Sequence, residues 1–222
     1  MSISGKLYTQ VQGHRGLFLM ALLKHTGLDS NVEYVQMGPS AVDRSKWPLG
    51  KVPVYESKDG KFKLTETLAI AQYFLASTKD TTLLGSSAKA EETASVWQWV
   101  AWAFTDVTDI YFNLIYYLLI QSLKPTDEQK AQAEKKFNSN LTYLEDALKG
   151  REYLVGDQIT AADYAVFAVF RFAARYVFDA EWRAQYPAVD SYLKRLLSNK
   201  VILELVGEEK YLIEKRMTIS KA

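Results

Sequence analysis

Gly50-Lys51-Val52-Pro53-Val54-Tyr55-Glu56, followed after a short hairpin by Leu64-Thr65-Glu66-Thr67-Leu68-Ala69-Ile70-Ala71-Gln72-Tyr73-Phe74, decides the fold. Pro53 opens a short apolar run. It has no N–H to give to a sheet ladder, so it belongs at a strand entrance or a turn. A cis Val52–Pro53 bond would turn the Val52 N–H and C=O outward, where they can pair strand-fashion with an extended peptide. Lys51 stands beside that edge as a cation. The later run offers Thr65 as a helix N-cap with Glu66 and Thr67 in the first turn. Free N–H groups and the positive end of a helix hold a carboxylate there. Two anchors thus lie side by side.

A strand edge that pairs with a peptide backbone, next to a helix N-terminus that takes an α-carboxylate, describes a glutathione site. On these residues the chain resembles the glutathione S-transferase superfamily. Its signature is a Val-Pro strand start followed by a Glu/Gln-Ser/Thr pair opening a helix, matched by Val52-Pro53 and Glu66-Thr67.

Composition narrows the alternatives. A chain of 222 residues can bury a sizeable core, in one large or two modest domains, without disulfides. It has no cysteine, which removes disulfide frameworks, thiolate metal sites and cysteine nucleophiles together and suits a reducing compartment. With 27 basic against 26 acidic residues there is no field to attract nucleic acid or a membrane surface. The longest apolar runs, near Leu114–Ile120, fall short of the ~20 residues of a membrane span. No charged stretch leading into an apolar one opens the chain, and it reads as cytoplasmic. Two histidines without cysteine make a metal site an unpromising expectation. Aromatics reach 13%, enough for a rich core or a pocket for large apolar ligands.

In chain order, Gly5-Lys6-Leu7-Tyr8-Thr9 is a β-prone run. After Gln10–Gly13 the period turns helical through Leu17, Leu19, Met20, Leu22 and Leu23, with His25 and Gly27 as a stop signal. Val32–Met37 is a second strand, and Gly38–Pro48 a polar loop carrying Arg44 and Lys46. With the Pro53 hairpin and the Thr65–Ser77 helix the order is β-α-β-β-β-α, which is thioredoxin-like. Ser77–Lys89 is linker-like in composition, and everything after it is helical. The expected organisation is a thioredoxin-like α+β domain over 1–80, a linker over 81–89 and an all-α domain over 90–222. In the latter, Glu91 to about Gln121 reads as one long aromatic helix, and Pro125-Thr126-Asp127-Glu128 opens another that stops at Gly150.

A second signature is Tyr153-Leu154-Val155-Gly156-Asp157-Gln158-Ile159-Thr160-Ala161-Ala162-Asp163-Tyr164. Thr160 at the N-cap and Asp163 at N3 can satisfy each other's backbone donors, with Ile159 and Tyr164 at the staple positions. This matches the superfamily's capping box and hydrophobic staple, a folding device. The segment Glu181-Trp182-Arg183-Ala184-Gln185-Tyr186-Pro187-Ala188-Val189 narrows the match, with Leu7-Tyr8-Thr9, Gly50-Lys51-Val52-Pro53 and Gln98-Trp99-Val100. They resemble the GST-like N-terminal domain of the elongation factor 1-gamma family. Those factors continue through a Lys-rich linker into another folded domain, whereas this sequence stops after Lys215-Arg216 and a short polar tail. It is therefore either a portion of a longer factor or a stand-alone enzyme of that branch.

Glutathione chemistry needs a thiolate at neutral pH, and lowering a thiol pKa by two units takes about 2.7 kcal/mol. In the family the stabilising group is a Tyr, Ser or Cys at the end of the first strand or the start of the first helix. Here that window is Tyr8-Thr9-Gln10-Val11-Gln12-Gly13-His14-Arg15, and the serine position holds Gln12 or Gly13. Tyr8 and Arg15 are the catalytic candidates; Tyr8 reads equally as a half-buried strand aromatic, and Arg15 as one side of a salt bridge. Gln12 and His14 offer further donors from the loop.

For the tripeptide, the resemblance implies Val52 of the Val52-Pro53 corner pairing with the cysteinyl unit, Glu66 and Thr67 holding the γ-glutamyl end, and Lys51 near the glycyl carboxylate. Asp106 matches an acidic position that reaches across a homodimer to the γ-glutamyl amine. A pocket for a small apolar electrophile is expected between Gln10–His14 and the face of Tyr111, Asn113 and Tyr117. The reaction is transfer of the thiolate to the electrophile, or reversible addition giving cis/trans isomerisation. The competing class is a non-catalytic scaffold of the translation elongation complex.

Overall fold

The computed structural model describes residues 3–38, 42–85, 89–108, 126–207 and 211–217. The chain divides into two compact units, Met1–Leu83 and Leu84–Ala222.

The first unit is a four-stranded sheet with helices. Strands β1 (Gly5–Thr9), β2 (Val32–Gln36), β3 (Val54–Ser57) and β4 (Lys63–Leu64) lie in the order β2-β1-β3-β4. β1 and β2 are parallel, joined through helix α1 (His14–His25); β3 runs antiparallel to both β1 and β4. Leu7 and Tyr55, opposite one another across the β1–β3 ladder, are fully buried on one face. Helix α2 (Thr67–Ala76) covers that face, with Tyr55 against Tyr73 and edge-on to Phe74 at 5.4 Å each. Alternation by two sends Lys6, Tyr8 and Glu56 to the other face. At the β1–β3 contact a Cβ on Gly5 would collide with the Glu56 carbonyl, so only glycine allows the strands to approach this closely. α1 ends where the sequence indicates, with Gly27 at φ 70° following the cap.

The second unit is helical: α3 (Ala90–Trp102), α4 (Asp127–Leu148), α5 (Ala161–Tyr176), a short α6 (Ala180–Arg183), α7 (Pro187–Leu197) and α8 (Lys200–Val206). α3 runs on into a π-helical turn, Ala103–Val107. The expected continuation to about Gln121 lies, after Thr108, outside the described residues. α4 starts on a capping box between Thr126 and Gln129. α5 is buried almost all round, from Ala161 to Ala174, as a central helix must be.

Asp163 fixes the start of α5. Its carboxylate is fully enclosed and accepts from Leu154 N–H (3.0 Å), Thr160 N–H (2.7 Å), the Thr160 hydroxyl (3.0 Å) and the Tyr192 hydroxyl (2.9 Å). Burial pushes the Asp163 carboxyl above its ordinary range, and these four bonds pull against that. The capping box expected from the sequence is present. Residues 211–217 form a strap over the same unit: the Arg216 guanidinium lies over the Trp182 ring at 4.7 Å and pairs with Asp179, the N-cap of α6, at 2.8 Å.

Candidate functional site

The β register assembles one end of the sheet. Because Tyr8 faces Val54 and Tyr55 faces Leu64, the chain at Thr9, Pro53 and Thr65–Glu66 leaves the sheet at the same end. The two halves of the deciding sequence therefore meet, next to the turn that opens α1.

The Val52–Pro53 peptide is cis. Val52 lies outside the strand ladders, and among the described residues its main chain takes no hydrogen bond. Gly50 reaches this corner with φ 59°, a left-handed backbone that favours glycine. Lys51 is exposed, with no hydrogen bond or ion pair among the described residues.

The start of α2 differs from the sequence expectation by one residue. Thr67 is the first helical residue and Glu66, not Thr65, is the N-cap, because Glu66 adopts φ 66° and ψ 120°. Among the described residues it is the one non-glycine with positive φ. Such a backbone costs on the order of 1–3 kcal/mol and clusters at ligand clamps. Among the described residues no side chain caps the helix and the first-turn N–H groups have no partners. Thr67 is 6% exposed, and among the described residues its hydroxyl has no hydrogen-bond partner. A buried hydroxyl left so costs about 1–3 kcal/mol. A carboxylate at the helix end would supply the acceptor it lacks.

At the β1–α1 turn, Gly13 N–H donates to Gln10 C=O at 2.8 Å, and Gly13, the N-cap of α1, offers the helix no side-chain cap. A Cβ on Gly16 would strike the Gln10 carbonyl, which holds the first turn of α1 hard against the strand end. His14 is buried, Gln12 exposed and Arg15 half-buried. Arg15 makes no ion pair or hydrogen bond among the described residues and stands in the first turn of α1.

Tyr8 is engaged within the sheet. Its hydroxyl donates to Glu56 Oε2 at 3.0 Å, on the sheet face opposite α2. A hydroxyl has one hydrogen to give, and Glu56 takes it. The same carboxylate accepts from Lys46 Nζ at 2.6 Å and lies 3.8 Å from Lys63 Nζ. The hydrogen bond from Lys46 holds the Glu56 carboxyl below its usual range, outweighing burial. Trp47 packs beside Tyr8, centroids 6.0 Å apart. Sequence reasoning did not single out Glu56 or Trp47. The signal available was the period of two, which puts Tyr8 and Glu56 diagonally across neighbouring strands.

Asp106 lies in the second unit, exposed in the π-turn, and accepts from the Thr105 hydroxyl at 2.9 Å. Tyr111, Asn113 and Tyr117 lie outside the described residues. Among the described residues no cluster of His, Cys, Asp and Glu could hold a metal, and no helix is long and apolar enough to cross a membrane.

Residues 3–76 match the family model for the glutathione S-transferase N-terminal domain, and residues 107–200 that for its C-terminal domain. Glutathione S-transferase AN1595 of Emericella nidulans is 31% identical over 95% of this chain and 78% of that protein. Glutathione S-transferase-like protein FUS3 of Gibberella moniliformis is 32% identical over 97% of this chain and 98% of that protein. Among solved structures, the GST-like domain of elongation factor 1-gamma from Saccharomyces cerevisiae superposes with a TM-score of 0.83 at 26% identity, covering 98% of this chain and 99% of that one. Two matched domains in the family's order, and relatives above 30% identity covered along most of their length, establish that this chain belongs to the glutathione S-transferase family.

Proposed function

We propose that the protein binds glutathione between Val52 and the first turn of α2 and adds its sulfur to a small apolar electrophile, by conjugation or by reversible addition that isomerises a double bond. The observation that carries this reading is the Thr67 hydroxyl, enclosed without a partner at an uncapped helix start beside the positive-φ Glu66. In this reading Val52 N–H and C=O pair with the cysteinyl unit. Thr67 and the free N–H groups of α2 take the γ-glutamyl carboxylate, the Glu66 carboxylate takes the amine, and Lys51 faces the glycyl carboxylate.

When bound, glutathione supplies the nucleophilic sulfur. Arg15 and the uncapped N-terminus of α1 favour negative charge beside them, which stabilises a thiolate over a thiol. The family resemblance further implies a homodimer, in which Asp106 reaches toward the amine held by the other protomer. The similarity to the elongation factor 1-gamma domain favours one second reading, a docking module without catalysis.

Calorimetric titration with glutathione separates the two. Heat of binding, a raised melting temperature, and loss of both in Glu66→Lys support the enzyme. A wild-type protein with no heat and no thermal shift rejects it in favour of docking.

A further inference from the structure

The cluster around Glu56 faces away from α2, yet it contacts the segment that leads into the Val52 corner. Residues 43–50 are folded back on themselves: Lys46 and Trp47 N–H both donate to the Asp43 carbonyl, and Gly50 N–H donates to the Trp47 carbonyl at 2.8 Å. This double turn is attached to the sheet at two adjacent residues. Trp47 is 5% exposed and packs on Tyr8, while Lys46 lies 5.3 Å from the Tyr8 ring centroid and ion-pairs Glu56 at 2.6 Å. The Glu56 side chain is 13% exposed and that of Lys46 33%, so the pair is partly shielded from solvent. Four and five residues beyond Trp47, the chain delivers Lys51 and Val52.

We propose that Glu56 is a positioning residue: by holding Lys46 and Tyr8 it pins the 43–50 turn to the sheet and sets the placement of Lys51 and Val52, and through them the affinity for glutathione. Tyr8 is then a strut in this assembly. The inference rests on the glutathione site proposed above. It adds that ligand affinity is controlled from the opposite face of the sheet, by groups that touch neither the tripeptide nor its sulfur.

The test uses the full chain with Glu56→Gln, Lys46→Met and Lys46→Arg. Glu56→Gln and Lys46→Met should each raise the Kd and KM for glutathione about tenfold, with kcat at saturating glutathione within about twofold of wild type. The pH midpoint for ultraviolet absorbance of the bound thiolate should not move. Lys46→Arg should restore affinity. In the ligand-free protein, amide exchange over 43–50 should quicken in Glu56→Gln and Lys46→Met alone. A fall in kcat with unchanged KM, or a shifted thiolate midpoint, would place Glu56 or Tyr8 in the chemistry and overturn the inference. So would unaltered exchange over 43–50. If wild type binds no glutathione, the proposed function and the affinity half of this inference fail together, and the exchange comparison still decides whether Glu56 pins the turn.

Discussion

Replacing Thr67 by valine should push stability and binding in opposite directions. The substitution keeps the β-branched shape and exchanges an enclosed, unpartnered hydroxyl for a methyl group. In the ligand-free protein it removes a desolvation cost of about 1–3 kcal/mol and adds one buried methyl, so the net gain should be about 1 kcal/mol after imperfect fit. With glutathione bound, the hydroxyl should donate to a carboxylate, a charge-assisted bond worth about 1.5–3 kcal/mol. Its loss corresponds to a roughly 10- to 150-fold weaker Kd. Urea unfolding of the free protein reads the first effect and isothermal titration with glutathione the second. Thr67→Ser, which retains the hydroxyl, should keep the affinity. A Thr67→Val protein that is less stable than wild type would mean the hydroxyl already has an acceptor inside the fold, and unchanged affinity would mean no carboxylate comes to it.

Other consequences are as direct. Glu66→Gly should leave the free protein as stable as wild type or about 1 kcal/mol more so, since glycine accepts φ 66° freely, whereas Glu66→Val should cost more than about 1 kcal/mol in the same urea titration. Asp163→Ala strands the buried Leu154 and Thr160 N–H groups and the Tyr192 hydroxyl, and should cost about 3–5 kcal/mol, read as a large fall in the unfolding midpoint. Burial of Asp179 raises its pKa, but the hydrogen bonds from Arg216 and the Trp182 N–H outweigh this and leave it below its ordinary value. Its contribution is therefore complete above the unfolded-state pKa of about 3.9 and is lost as pH falls below that. Unfolding midpoints measured from pH 7 to pH 3 should show a steeper acid loss in wild type than in Arg216→Met.

The sequence exposes much of this molecule because the decisive residues act locally. Pro53 cannot donate, Gly27 ends α1 through its own backbone, and Thr160 with Asp163 closes a cap within one turn, so each can be read without knowing what lies across the fold. The β-α-β-β-β-α order follows from the same punctuation. What escaped depends on register or on loop conformation. The positive φ of Glu66 displaced the cap from Thr65, although nothing in Leu64-Thr65-Glu66 asks for such a backbone. The hydrogen of Tyr8 goes to a strand neighbour 48 positions away, visible only once β1 and β3 are aligned. The π-turn at Ala103–Val107 contains neither glycine nor proline, so no breaker announces it.

Asp163 ties together stretches of chain that meet only in the finished fold: the approach at Leu154, the cap at Thr160 and, from α7, Tyr192. None can drift by mutation alone. A change at Tyr192 would leave one oxygen of a dehydrated anion short of a donor, and a reshaped approach at Leu154 would do the same from the other side. These positions should therefore be inherited as a block, and a chimaera that takes α5 from one relative and α7 from another should fold only if both parents supply compatible halves of that anion's shell.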